Sequence, residues 1–164
     1  MSKILVTGGT GYIGSHTVVE LYNAGYDVII VDDLSNSELA ILDQIEKITG
    51  KKPECEIFDL CDEDKLKDFL LRHTDISGVI HFAASKAVGE SVRLPLKYYK
   101  NNLYSLINLL ENLKGKTNFV FSSSCTVYGQ PEVLPVTEEA PIQKAESPYG
   151  NTKQICEEIL TDYA

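Results

Sequence analysis

The segment that most constrains the fold is Thr7-Gly8-Gly9-Thr10-Gly11-Tyr12-Ile13-Gly14, set between the β-branched run Ile4-Leu5-Val6 and a helical stretch from Tyr12 to Ala24. It satisfies GxxGxxG through Gly8, Gly11 and Gly14, and GxGxxG through Gly9, Gly11 and Gly14. Glycine at such a turn permits positive φ, and the missing Cβ lets the backbone close on a pyrophosphate held at the helix N-terminus. A glycine motif alone also occurs in plain turns, so its place at a strand-to-helix junction is what gives it weight.

The rest of the chain alternates in the same way, which is the pattern of a parallel sheet built from βαβ crossovers. Val28-Ile29-Ile30-Val31 predicts a second strand buried on both faces. Leu39, Leu42, Ile45 and Ile48 space a helix over 38–48, with Gly50 as its stop. Cys55 to Phe58 is a third strand, Asp62 to Leu71 a helix and Gly78 to Phe82 a fourth strand. Pro95 opens a long helix to Leu113 with Leu96, Tyr99, Leu103, Leu106, Leu109, Leu110 and Leu113 on its apolar side, and Phe119-Val120-Phe121 is a fifth strand. From Thr126 to Ser147 the period fails, and Pro131, Pro135 and Pro141 mark a loop over the mouth of the site. Pro148 then opens a final helix. The expectation is an α/β fold, a doubly wound, Rossmann-like parallel sheet of about five strands, forming one domain over residues 1–164. Folds of this type continue with more strands and a substrate domain, so the chain reads as truncated at its C-terminus.

A net charge of −9 argues against nucleic acid and anionic membranes, both of which need a basic footprint. The N-terminus lacks the pattern of a secretory leader, and no apolar run approaches a bilayer span, so a soluble, cytoplasmic protein is expected. Cys55, Cys61, Cys125 and Cys156 form no CxxC pair, and His16, His73 and His81 are scattered, so reduced thiols and no metal site are expected. The acidic stretch from Glu54 to Asp68 reads as a solvated helix face.

Asp32 follows the second strand, placed where a carboxylate can accept hydrogen bonds from an adenosine ribose, and it favours NAD over NADP because a 2′-phosphate would meet a like charge. Its alternative reading is a turn or capping aspartate. Tyr149 and Lys153 stand four apart on one helix face. A tyrosine titrates near 10 and is a poor base at neutral pH, but a neighbouring ammonium stabilises its phenolate. Pairs at this spacing are common on ordinary helices. Ser122-Ser123-Ser124 supplies context, since it ends the fifth strand at the edge of the sheet where ligands bind.

Serine, tyrosine and lysine in this order behind a glycine loop resemble the catalytic set of short-chain dehydrogenases/reductases. Within that class, His81-Phe82-Ala83-Ala84-Ser85-Lys86-Ala87-Val88-Gly89-Glu90-Ser91, Tyr98-Tyr99-Lys100-Asn101-Asn102, Phe121-Ser122-Ser123-Ser124-Cys125-Thr126-Val127-Tyr128-Gly129 and Ser147-Pro148-Tyr149-Gly150 resemble the UDP-glucose 4-epimerases of the extended branch. The resemblance covers essentially the whole chain. It implies that Tyr149 is the catalytic base, Lys153 its electrostatic partner and a nicotinamide-ribose ligand, and Ser124 the substrate-oxygen ligand. It places Gly8, Gly11, Tyr12, Ile13 and Gly14 at the pyrophosphate, Asp32 and Asn36 at the adenosine ribose, and Asp59 and Leu60 at the adenine. Phe82, Ala83, Lys86, Asn101 and Ser122 fall to the rest of NAD. Asp33 stands where asparagine is frequent, Ser85 where leucine is usual and Cys125 where alanine is common.

The implied reaction is reversible interconversion of UDP-glucose and UDP-galactose through a 4-keto sugar. The long helix from Pro95 and the final helix resemble those that pair in homodimers of the family. A nucleotide-sugar 4,6-dehydratase is the nearest rival, but there an acidic pair follows the hydroxyl residue, whereas Cys125 and Thr126 follow Ser124 here. An NAD-binding module without turnover is the other rival, and for the chain as it stands, lacking a uridine pocket, inactivity is expected.

Overall fold

The computed structural model describes residues 3–113, 115 and 117–164. They fall into two compact units, Met1–Ala83 with Ile107–Ser122, and Ala84–Leu106 with Ser123–Ala164.

The first unit holds a parallel sheet of β1 (Lys3–Thr7), β2 (Asp27–Asp32), β3 (Glu54–Ile57), β4 (Ile76–His81) and β5 (Asn118–Phe121), in the order β3-β2-β1-β4-β5. The order reverses at β1, which lies between β2 and β4, and the carboxyl ends of strands at such a switch point are where open α/β sheets bind ligands. Helices α1 (Tyr12–Asn23), α2 (Ala40–Thr49) and α3 (Glu63–Arg72) are the crossovers. Alternate strand residues feed two cores. Val6, Val28 and Ile30 pack with Val18 of α1 and with Leu42 and Ile45 of α2. Leu5, Ile29, Val31 and Val79 pack with Leu66 and Phe69 of α3 and with Leu109. A strand buried on both faces has no polar side to present, which is why Val28 to Val31 is apolar without interruption.

The second unit contains α4 (Val88–Arg93), the beginning of α5 (Pro95–Asn112), a 3₁₀ turn at Cys125–Tyr128 and α6 (Pro148–Tyr163). Asp62 caps α3 by accepting from the Lys65 amide, and Ser147 caps α6 by accepting from Gly150. Each satisfies one of the orphan donors of a first turn.

Several expectations need correction. Helix α2 begins at Ala40, not Glu38. Helix α4 went unforeseen because its six residues are too few to show a period. The end expected at Leu113 falls one residue earlier. On α5 the expected Leu106, Leu109 and Leu110 are buried, but Leu96 at the start of the stripe is 81% exposed, and Tyr98, Asn102 and Ser105, which the apolar spacing left out, are buried as well. Polar residues sit there because their hydrogen bonds are made internally. The acidic stretch is no uniform helix face either. Glu54 and Glu56 lie on β3, and Glu56 takes a bidentate pair from Arg72 at 2.6 and 2.8 Å.

Candidate functional site

In the first unit the glycine loop joins β1 to α1. Gly8 has φ +69, and a Cβ there would lie 2.7 Å from the Ala83 nitrogen, so only glycine fits where the ends of β1 and β4 meet. A Cβ on Gly14 would overlap the Gly8 carbonyl oxygen, which makes this residue the contact that folds the loop back on its own helix. Gly11 caps α1 with no side-chain acceptor, and the first turn carries no acid. The positive end of α1 is therefore left for an outside anion, and the loop and helix fit a pyrophosphate. Tyr12 and Ile13 are exposed there, at 77% and 59%.

Asp32 ends β2 and is buried. Its Oδ2 accepts from the Thr10 amide at 3.1 Å, and its Oδ1 from the Leu34 amide at 3.0 Å and the Ser37 hydroxyl at 3.2 Å. Those bonds aim the carboxylate and fill most of its acceptor capacity, leaving Oδ2 able to take one more donor. Asn36 and Asp59 are exposed, and Asp59 Oδ1 accepts from the Cys61 amide. Leu60 follows Asp59. Its side chain is only 4% exposed, inside the core with Phe58 and Leu66, so what it offers at the surface is its backbone.

Past β4, Phe82 and Ala83 are half-buried, each packed on one of the two cores. Thr7 and His81, both buried, share a hydrogen bond of 2.7 Å, and the Ala83 amide donates to Thr7 Oγ1 at 3.4 Å. The Ser122 amide donates to the His81 carbonyl. This pairing holds the chain after β4 and β5 in line with Gly8, and it was not foreseen, because Thr7 and His81 lie far apart in sequence and form no motif.

In the second unit, Tyr149 and Lys153 lie on α6. Lys153 is 4% exposed, and burial pushes its ammonium down to about 8 against weaker opposing help from Cys156 and Glu157. The same burial pushes the Cys156 thiol up to about 11. Ser124 caps the 3₁₀ turn, and its Oγ accepts from the Thr126 amide at 3.3 Å and the Thr126 hydroxyl at 3.0 Å. Both acceptor positions of that hydroxyl are used, so what it offers a ligand is its proton. Gly150 lets α6 approach the turn, since a Cβ there would stand 3.2 Å from the Thr126 side chain. Gln154 of α6 donates to the Val127 carbonyl at 2.7 Å. Ser124 and the Tyr149 helix are thus brought together. Lys86 is exposed on the segment before α4, and Asn101 is half-buried on α5, donating to Asn102 Oδ1 at 3.1 Å.

A glycine cradle at the switch point of a parallel sheet, with serine, tyrosine and lysine on a turn and helix, defines a dinucleotide-binding chain of the short-chain reductase type. More narrowly, the chain belongs to the family described as GDP-mannose 4,6 dehydratase, whose model matches residues 5–164. It is 52% identical over 165 residues to the UDP-glucose 4-epimerase of Schizosaccharomyces pombe, covering 97% of this chain and 46% of that protein. To the UDP-glucose 4-epimerase of Bacillus subtilis it is 51% identical over 161 residues, covering 97% and 47%. Its structure matches that of UDP-glucose 4-epimerase from Bifidobacterium longum in complex with NAD+ and UDP, with a TM-score of 0.91, 47% identity and coverage of 98% of this chain and 48% of that one. The chain spans about half the length of the curated relatives it matches.

Proposed function

We propose that this chain is the NAD-binding part of a UDP-glucose 4-epimerase, residues 1–164 acting as one cofactor domain. The observation that carries the reading is the joint presence of the glycine cradle with Asp32 and of Ser124, Tyr149 and Lys153 in a chain about half identical to such epimerases. The cradle and α1 hold the pyrophosphate, and the remaining acceptor of Asp32 takes an adenosine ribose hydroxyl, which favours NAD over NADP. Asn36 serves the same ribose, and Asp59 with the Leu60 backbone borders the adenine. Phe82, Ala83, Lys86, Asn101 and Ser122 line the remainder.

NAD, when bound, supplies a reversible acceptor for the hydrogen on carbon 4 of the sugar. Tyr149 takes the proton of the 4-hydroxyl as phenolate and returns it after the 4-keto sugar has turned over in the site. Lys153, charged below about pH 8, holds that phenolate and lowers the energy of the ionised form. The Ser124 proton binds the oxygen on which charge develops. The uridine diphosphate acts as the handle that lets the ring turn without leaving.

The family's description names a dehydratase, yet elimination of water needs an acid and a base beyond the tyrosine, and Cys125 and Thr126 occupy the positions after Ser124. We further propose a cytoplasmic homodimer. The exposed Leu96 and Tyr104 of α5 and Tyr163 of α6, at 81%, 51% and 62%, are the apolar surface that supports association. Among the described residues no helix is long and apolar enough to cross a membrane. Because the relatives are about twice as long, the chain alone binds NAD without epimerising. Coupled assay of the chain and of the complete reading frame that contains it tests this. Turnover by the chain alone would show that the substrate pocket lies within these residues.

A further inference from the structure

Gln154 directly follows Lys153 on α6 and is half-buried, and its amide is spent on backbone instead of on solvent. Nε2 donates to the Val127 carbonyl at 2.7 Å and to the Gln143 carbonyl. Both acceptors are backbone oxygens, so it is the nitrogen of the amide that faces them, and both of its N–H groups are committed. Val127 belongs to the 3₁₀ turn Cys125–Tyr128 and is 4% exposed, whereas Gln143 lies in the irregular stretch that leads back to α6.

The two carbonyls mark the neck of a loop. Gly129 has φ +60, and a Cβ there would stand 2.6 Å from the Lys144 carbonyl oxygen, so the outgoing and returning chain meet beside the point where Gln154 ties them. Beyond the neck Val133 and Leu134 are exposed, at 75% and 76%. Loops closed in this way keep their ends fixed while their tips face solvent. On its inner side the same tie reaches Ser124. The Val127 amide donates to the Ser124 carbonyl at 3.1 Å, and the Thr126 amide and hydroxyl both donate to Ser124 Oγ. The turn is therefore held at Ser124 by its own bonds and at Val127 by α6. Gly150 lets helix and turn approach, but a van der Waals contact sets no direction, and the hydrogen bond from Gln154 does.

We propose that Gln154 is the positioning residue that aims the Ser124 hydroxyl relative to Tyr149, by bolting the 3₁₀ turn to the helix that carries the tyrosine. Its donors are taken by the backbone, so it acts through Ser124 and not on the sugar. The inference rests on the reading of the chain as an epimerase's NAD-binding part. Tyr149 and Gln154 share one helix, and the bond to Val127 passes the position of that helix on to the serine. A donor aimed at developing charge loses its effect when displaced, while binding of NAD and of the ground-state sugar nucleotide does not depend on that aim.

The test uses the complete reading frame, with Gln154→Met, Gln154→Lys, Ser124→Ala and the double variant Gln154→Met/Ser124→Ala. Three quantities are read: NAD affinity by calorimetry, hydrogen exchange at the Thr126 and Val127 amides, and kcat and KM for UDP-galactose. Gln154→Met keeps the length of the side chain but has no donor. It is expected to leave NAD affinity and KM unchanged, to speed exchange at both amides and to lower kcat between about tenfold and 10²-fold, the range for small misplacement of a reacting group. Gln154→Lys returns N–H donors of similar reach and is expected to recover protection and turnover. Ser124→Ala alone is expected to cost about 10²–10³ in kcat, and adding Gln154→Met to it costs nothing further, because residues that act through one group are not additive. A purely structural role would lower kcat by the same factor in both backgrounds. If Gln154→Met does not fold, Gln154→Glu, of the same shape and without a donor at neutral pH, takes its place. Unaltered exchange in the donorless variant, a Gln154→Lys protein no better than it, a raised KM with unchanged kcat, or additive losses with Ser124→Ala would each overturn the assignment. If the unaltered protein binds NAD but fails to turn over UDP-galactose, the epimerase reading falls, while amide exchange still decides whether Gln154 holds the Ser124 turn.

Discussion

Replacing Lys153 with Met separates the cost of burying a charge from the use made of it. The ammonium falls from 10.5 to about 8 with burial as the chief cause, and at about 1.4 kcal/mol per unit this makes charged Lys153 destabilising by about 3 kcal/mol at neutral pH. Methionine fills similar space without a charge. Urea unfolding of the two chains at several pH values reads the difference. Below about pH 8 lysine is charged in both folded and unfolded states, so the folded state bears the whole penalty and the Met variant should be the more stable by about 3 kcal/mol. From about 8 to 10.5 the folded state has released its proton while the unfolded chain still holds one, so the stability of the unaltered protein rises relative to the variant. Above that window the gap closes. A Met variant that is less stable at neutral pH, or a gap that does not change with pH, would refute burial as the cause. The same variant should lose turnover in the complete enzyme, as expected where function retains a destabilising group.

Further outcomes follow from other contacts. Gly14→Ala should abolish NAD binding by calorimetry, because its Cβ overlaps the Gly8 carbonyl, whereas Gly11→Ala, whose Cβ would meet only that oxygen at 3.2 Å, should weaken it less. Asp32→Ala should narrow the preference for NAD over NADP and lower stability by about 1–3 kcal/mol, since the Thr10 and Leu34 amides lose their acceptor. Equal affinity for the two cofactors in the unaltered protein would remove Asp32 from recognition. Leu96→Lys should shift the complete protein from dimer to monomer in light scattering, and an unaltered mass would place the interface elsewhere.

What could be read from the sequence was local chemistry with a period or a motif. The glycine loop, the uninterrupted run of β2 and the proline that opens α6 each state their structure within a few residues. The inward face of α5 was legible in its later half, through Leu106, Leu109 and Leu110, but apolar spacing could not add Asn102 and Ser105, which hydrogen bonds to Ser85, Thr152 and the helix backbone satisfy inside. The packing of the Leu60 side chain against Phe58 and Leu66 in the core could not be read from the sequence, because it too is a tertiary contact. Neither the Thr7–His81 pair nor the Asn102 network has a linear signature, since each joins segments through tertiary contact. The one available clue was two consecutive asparagines in a helix of otherwise strong apolar period.

The most direct test of the proposed reaction is proton NMR of the complete-reading-frame protein incubated with UDP-galactose carrying deuterium on carbon 4. If Tyr149 moves only the hydroxyl proton and the hydrogen on carbon 4 leaves and returns within the closed site, the product is UDP-glucose with the label still on carbon 4, and Tyr149→Phe slows its appearance by about 10²–10⁴-fold. Deuterium washed into solvent, deuterium transferred to carbon 6 with loss of water, or undiminished turnover by Tyr149→Phe would contradict it.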